Sequence, residues 1–218
     1  MTKRLVIGLT ILVLFTTYNP KSFFLNKIFN IKEIVIENNS ILKKNKIKKE
    51  LAFIYESNLF FLNLKAIKKI LIKQKFIRSF KIKKIYPNKL KIEIFERKPI
   101  LIIQDKKDKF FFTEDTNLIR YQNLKGYENL PIVFGNKINF EILYKDLKKI
   151  NFSINQIKKY YYFKANRWDL ITYKNQTIKL PTKGHILSLE NFLILKDKKN
   201  FDKYKIFDYR INNQLILK

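Results

Sequence analysis

Sixteen consecutive uncharged residues, positions 5–20, follow Met1-Thr2-Lys3-Arg4 in a chain of 218 residues of which 29% are charged. No other feature constrains the fold as much. No polar face interrupts the stretch from Leu5 to Phe15, and a helix that is apolar all round belongs in a buried core or a bilayer. As a helix the run would rise about 24 Å, slightly short of a hydrocarbon core of about 30 Å. Phe23, Phe24 and Leu25 extend it, with Lys21 able to snorkel and Tyr18 suited to the interface. The expected element is an uncleaved, single-pass transmembrane anchor over residues 5–25, behind a cytoplasmic tail of residues 1–4. A cleaved signal peptide and a buried helix are the alternatives; Thr16, Thr17, Tyr18, Asn19 and Pro20 make a poor small-x-small cleavage site. Lys3 and Arg4 favour a cytoplasmic N-terminus, which leaves the bulk of the chain outside the cytoplasmic membrane.

Composition excludes most familiar chemistry. With no Cys there is no disulfide framework, thiolate metal site or thiol nucleophile. The single His, His185, has no nucleophile or carboxylate nominated by spacing, and it reads as a surface residue where a helix begins. Four Gly, none close enough to another to cradle a phosphate, leave no nucleotide loop. Asp105, Asp108, Glu114 and Asp115 lack the spacing of a calcium loop and read as solvated turn carboxylates. Neither enzyme, metal nor cofactor is expected. The net charge of +28 comes from Lys far more than Arg, spread along the chain. A nucleic-acid reader would favour Arg, so a solvated Lys-rich surface is expected, with attraction to anionic lipid or to polyanions the other reading.

The fold class is α+β. In a first region, residues 30–98, a strand at residues 32–37 precedes a helix carrying Ile47, Leu51 and Ile54, for which Ser40 is the expected N-cap. A second helix starts at Asn63, and two alternating strands around Phe80 and Ile82, then Leu90, Ile92 and Ile94, meet at Tyr86-Pro87-Asn88. The order is strand-helix-helix-strand-strand. The second region, residues 99–218, is mostly strand and is expected to be a curved antiparallel sheet with two helices on one face, ending in a strand over residues 204–217. Tyr160, Tyr162 and Trp168 read as core.

Glu33-Ile34-Val35-Ile36-Glu37-Asn38-Asn39-Ser40, Asn58-Leu59-Phe60-Phe61-Leu62-Asn63-Leu64, the hairpin around Tyr86-Pro87-Asn88 and the closing Glu96-Arg97-Lys98-Pro99 resemble, in order and spacing, a POTRA domain of the cell division FtsQ (DivIB) family. Leu130-Pro131-Ile132-Val133-Phe134-Gly135, Arg167-Trp168-Asp169-Leu170, Ile178-Lys179-Leu180-Pro181 and Phe207-Asp208-Tyr209-Arg210 extend the resemblance over nearly the whole chain. The cytoplasmic tail is much shorter than usual, and Lys174-Asn175 replaces the customary Gly of one hairpin.

Residues 211–217 carry no charge. An uncharged strand is either paired inside a sheet or left as a free edge that recruits another strand. The resemblance implies the second: the strands after "D-x-R" would bind the division proteins FtsB and FtsL by strand addition. Carried over by position, the candidate contacts are Ile211, Asn212, Asn213, Gln214 and Leu215, with Arg167 a further one, and Leu215→Lys or Ile211→Glu is expected to abolish binding with the fold intact. The resemblance implies a non-enzymatic inner-membrane scaffold with its bulk in the periplasm, enriched at the division septum and linking early and late septal proteins. It implies no nucleic acid and no small-molecule substrate. The alternative is a POTRA-containing outer-membrane assembly or transport factor.

Overall fold

The computed structural model describes residues 2–17, 25–196, 198, 200–211 and 214–218. The chain divides into two units, Met1–Glu96 and Arg97–Lys218.

The first unit begins with α1 (Thr2–Thr17), whose apolar side chains, Leu5 to Phe15, are all exposed. Among the described residues no helix is long and apolar enough to cross a membrane. Helix α1 ends at Thr17, and the expected continuation of the anchor through residues 18–24 lies outside the described residues.

After α2 (Leu25–Ile28) come β1 (Glu33–Glu37), α3 (Lys44–Glu50) with a 3₁₀ turn at Ala52–Ile54, α4 (Leu64–Lys73), β2 (Ile77–Ile85) and β3 (Lys89–Glu96). This is the strand-helix-helix-strand-strand order read from the sequence. Strand β3 lies in the middle, parallel to β1 and antiparallel to β2. The period-2 alternation decides what this pairing buries. Ile34 faces Leu90 and Ile36 faces Ile92 across β1 and β3, and all four are buried together with Ile47, Leu51, Ile54, Ile67 and Leu71 from the helical segments. The other face carries cross-strand charge pairs, Lys89 with Glu33 at 2.7 Å and Lys83 with Glu93 at 3.0 Å. Asn63 caps α4, its side chain accepting from the Lys65 N–H.

Ser40 does not cap a helix. Helix α3 starts later, after Lys43, with no side-chain cap. Ser40 is instead committed to Glu96: its N–H and hydroxyl and the N–H of Ile41 all donate to Oε2, and the Leu42 N–H donates to Oε1, at 2.7–2.8 Å. The last residue of β3 thus ties down the loop after β1, which gives the glutamate of Glu96-Arg97-Lys98-Pro99 a structural task. Glu96→Ala leaves three backbone donors without this acceptor, and a loss of about 1–3 kcal/mol is expected in urea unfolding, with Glu96→Gln intermediate. Equal stability of all three proteins would show that water replaces the carboxylate.

The second unit is one nine-stranded sheet in the order β12-β11-β10-β9-β8-β7-β4-β5-β6. Its strands are β4 (Pro99–Asp105), β5 (Asp108–Thr113), β6 (Leu118–Arg120), β7 (Ile132–Phe134), β8 (Ile157–Phe163), β9 (Arg167–Thr172), β10 (Thr177–Lys179), β11 (Ile206–Asp208) and β12 (Ile216–Leu217). It is mixed, not antiparallel: β7 runs parallel to both β4 and β8, and β10 parallel to β11. For two of these three pairs, β7 with β8 and β10 with β11, the reason lies in the helices. Helix α5 (Lys137–Lys149) joins β7 to β8 and α6 (His185–Leu195) joins β10 to β11, and a helical crossover returns the chain in the same direction, where a tight turn would reverse it.

One row of residues crosses the sheet through the pairing registers, Ile103–Val133–Tyr160–Leu170–Ile178–Phe207–Leu217. All but Leu217, which packs against the same core, are buried with Phe140, Leu143 and Leu147 of α5 and Leu189 and Phe192 of α6. Both helices therefore cover the same face, as expected from the sequence. Tyr160 and Trp168 are core, as read from the sequence, and the Tyr160 hydroxyl donates to the Ile154 carbonyl at 3.2 Å. Gly135 ends β7 where a Cβ would stand 2.9 Å from Tyr162 Cβ. That is an atom fixed to the backbone, so the two strands approach this closely only with glycine there.

Candidate functional site

The uncharged C-terminal stretch is not one strand. Strand β11 ends at Asp208, the chain bends through Ile211 with Gln214 N–H donating to the Ile211 carbonyl at 3.2 Å, and β12 returns antiparallel over Ile216–Leu217. Asn212 and Asn213 lie outside the described residues. The bend follows from Asp208. Its carboxylate accepts from the Arg210 backbone N–H at 3.1 Å and is gripped by the Arg210 guanidinium, Nε at 2.8 Å from Oδ1 and Nη2 at 2.6 Å from Oδ2. An aspartate that bonds the main chain two residues on turns the backbone out of a strand. The "D-x-R" motif is thus a strand terminator.

This turn creates the edge. Ile206 and Lys218 exchange both N–H···O bonds, at 3.0 and 3.1 Å, so the next pair, Phe207 with Leu217, is a non-hydrogen-bonded one. The N–H and carbonyl of Leu217 therefore point away from β11, and no strand lies beyond β12 among the described residues. The other edge strands carry charge: Glu33 and Glu37 on β1, Arg78 and three lysines on β2, Arg120 on β6. Strand β12 carries none. Charge on an edge discourages strand addition; β12 is the edge strand without it, with Lys218 the next charge along the chain.

The candidates read from the sequence fall into two places. Ile211 and Gln214 are exposed in the turn, and Leu215 is half-buried against the core. Together they line one side of a cleft of about 300 Å³ closed on the other side by Leu187 and Asn191 of α6. Leu215→Lys would consequently disturb the fold, contrary to the expectation from sequence. Arg167 is elsewhere, on β9 and on the sheet face opposite the helices, with its guanidinium 4.4 Å from the centre of the Phe163 ring and 3.6 Å from Asp169 Oδ1. Ile216 and Leu217, which form the edge itself, were not among those candidates; their signal was the alternation that resumes only after the turn.

On the face opposite the helices, a polar row crosses β9, β10 and β11 at Asp169, Lys179 and Asp208. Its two carboxyls are tuned in opposite directions. Hydrogen bonds from Arg210 hold Asp208 below the usual carboxylate range. Burial raises Asp169, opposed by Arg167, Lys179 and Arg210; its Oδ1 and Arg167 Nη1 face each other without a hydrogen bond. A raised folded-state pKa means that the folded protein binds this proton more tightly than the unfolded chain. Ionised Asp169 therefore costs stability at neutral pH, and the cost disappears as pH falls into the carboxylate range. Asp169→Asn is expected to raise Tm at pH 7, with the gain vanishing below about pH 4; a gain of equal size at both pH values would point to packing instead. The lone His185 opens α6, and its Nε2 stands 3.0 Å from an Asp146 oxygen. Asp146 is held below its ordinary value chiefly by Lys149.

Comparison with known proteins accords with this architecture. Residues 29–97 match the family model described as "POTRA domain, FtsQ-type". The chain is 30% identical over 190 residues to the cell division protein FtsQ of Rickettsia conorii, covering 85% of this chain and 71% of that one, and the same holds for FtsQ of Rickettsia typhi. It is 32% identical over 110 residues to the cell division protein DivIB of Clostridium tetani, half of this chain but only 41% of that relative. With the POTRA order in the first unit and similarity to FtsQ running on through the second, the chain belongs to the FtsQ/DivIB family of cell division proteins.

Proposed function

We propose that this protein is a non-enzymatic, membrane-anchored scaffold of the divisome that binds FtsB, together with FtsL, by accepting a strand on β12, and so links early to late septal proteins. The observation that carries this reading is the uncharged outer edge of β12, where Leu217 directs its main-chain donor and acceptor away from the sheet. Main-chain bonds along such an edge give affinity, and adjoining pockets give selectivity; the cleft between α6 and the C-terminal turn supplies one. Arg167 is the outlying contact.

The anchor is the run of residues 5–25, of which α1 carries residues 5–17. Support comes from the exposed apolar side chains of Leu5 to Phe15 and from the threonines, whose hydroxyls bond back onto the helix, Thr10 to the Val6 carbonyl at 2.8 Å and Thr16 to that of Leu12 at 2.9 Å. Such internal bonding removes polar groups that lipid cannot satisfy. Lys3 and Arg4 then hold the N-terminus in the cytoplasm, and both folded units lie in the periplasm. A fluorescent fusion is expected to form a midcell band before constriction, and a purified complex is expected to contain FtsB. A uniform envelope signal would overturn the divisome role.

A further inference from the structure

The first unit exposes an aromatic patch that its own core does not use. Because β1 and β3 are parallel and β2 runs against them, the start of β1, the end of β2 and the start of β3 gather at one end of the sheet, where the chain arrives from α2. Phe29, Phe60 and Tyr86 cluster there, with ring centroids 4.7 Å apart for Phe29–Phe60 and 4.8 Å for Phe60–Tyr86. The Leu59 N–H holds the Phe29 carbonyl at 2.8 Å, fixing the two segments together. Beside this cluster Phe61 is 85% exposed, and Ile28 and Ile85 are exposed as well. Single exposed apolar residues are ordinary, but a contiguous patch marks a contact surface. Lys27 and Lys32 flank Phe29 and Lys84 lies two residues before Tyr86, donating to the Phe60 carbonyl at 3.0 Å.

We propose that this end of the first unit rests on the anionic lipid surface of the bilayer, with Phe61 and its aromatic neighbours at headgroup depth and the lysines on lipid phosphates. The inference rests on the anchor reading of α1. Chain length favours lipid over a protein partner: eight residue steps separate Thr17 from Leu25, so the start of α2, four residues before Phe29, lies within about 28 Å of the end of α1 even if the connection is fully extended. Its chemistry matches the interface too, since aromatic rings concentrate at the headgroup level and lysines are drawn to anionic leaflets. The contact would hold the unit upright over its anchor.

The chain has no native Cys, so single-cysteine labelling of the full-length protein is clean. An environment-sensitive fluorophore is placed at Phe61→Cys, at Ile72→Cys on α4 (71% exposed, towards the opposite end of the sheet) and at Leu9→Cys in α1. The proteins are reconstituted in phosphatidylcholine–phosphatidylglycerol vesicles containing brominated lipid. The expected result is strong quenching at positions 9 and 61 and little at 72, with the signal at 61 lost in pure phosphatidylcholine or in high salt. Quenching at 9 but not at 61 overturns the lipid contact and leaves the anchor standing, which would turn the patch over to a protein partner. No quenching at either position overturns both. Equal quenching at 61 and 72 overturns the patch in favour of general adsorption by a Lys-rich surface, and quenching at 61 that survives in pure phosphatidylcholine overturns the role of charge.

Discussion

Phe207→Ala is expected to destabilise the second unit by about 3–5 kcal/mol, the usual range for deleting a fully buried phenylalanine whose cavity cannot collapse. Phe207 is completely buried and lies edge-on to Phe192 of α6 at 5.1 Å, with Phe201 at 6.5 Å. It occupies the middle of β11, between β10 and β12, and faces Leu217 across a non-hydrogen-bonded pair, where side chains are closest. Removing the ring therefore takes contacts from α6 and from the edge strand at once. Urea unfolding followed by the fluorescence of Trp168, the sole tryptophan and itself buried in the same core, reads the loss directly. Capture of FtsB is expected to weaken in parallel because β12 loses the partner that holds it in register. A loss under about 1 kcal/mol would mean that the β10–β11–β12 corner stands outside the cooperative core.

Ile216→Lys separates binding from folding. Ile216 sits on the sheet face opposite the helices, is 37% exposed and faces Asp208 across the pair, so a lysine there reaches solvent and meets an acidic neighbour. The fold should tolerate it, with Tm shifted by no more than a few degrees. The edge should not: a lysine is the residue with which sheets discourage unwanted pairing. Affinity for the FtsB segment is expected to fall at least tenfold, a change of about 1.4 kcal/mol. Undiminished affinity would remove β12 as the docking strand. The substitution is more informative than Leu215→Lys, because Leu215 packs against the core and its loss would confound unfolding with loss of contact.

Much of the first unit was legible because its strands alternate cleanly. Leu90, Ile92 and Ile94 are fully buried and Lys91 and Glu93 between them are not; Asn63 caps α4 as its position implied. Ser40 was misplaced for a physical reason: a serine hydroxyl serves equally well in a cap or a turn, and only the return of Glu96 from fifty-six residues further on decided which. Strand direction in the second unit was similarly hidden. Antiparallel and parallel strands share the same side-chain period, and what distinguishes them is whether the connection turns straight back or crosses to re-enter the sheet in the same direction, as α5 and α6 make it do.

The candidate site divides in the same way. Absence of charge over residues 211–217 was plain, yet a local pattern carries no information on which strands flank it. From its amino acids alone this chain had its element order, its apolar start and its family resemblance, since each of these resides in near neighbours along the chain. Which strand became the sheet's outermost, which residue of it turns its main chain outward, and that the Asp208–Arg210 grip makes a corner there, were decided by pairings between segments far apart in sequence, whose registers exist only once the sheet is assembled.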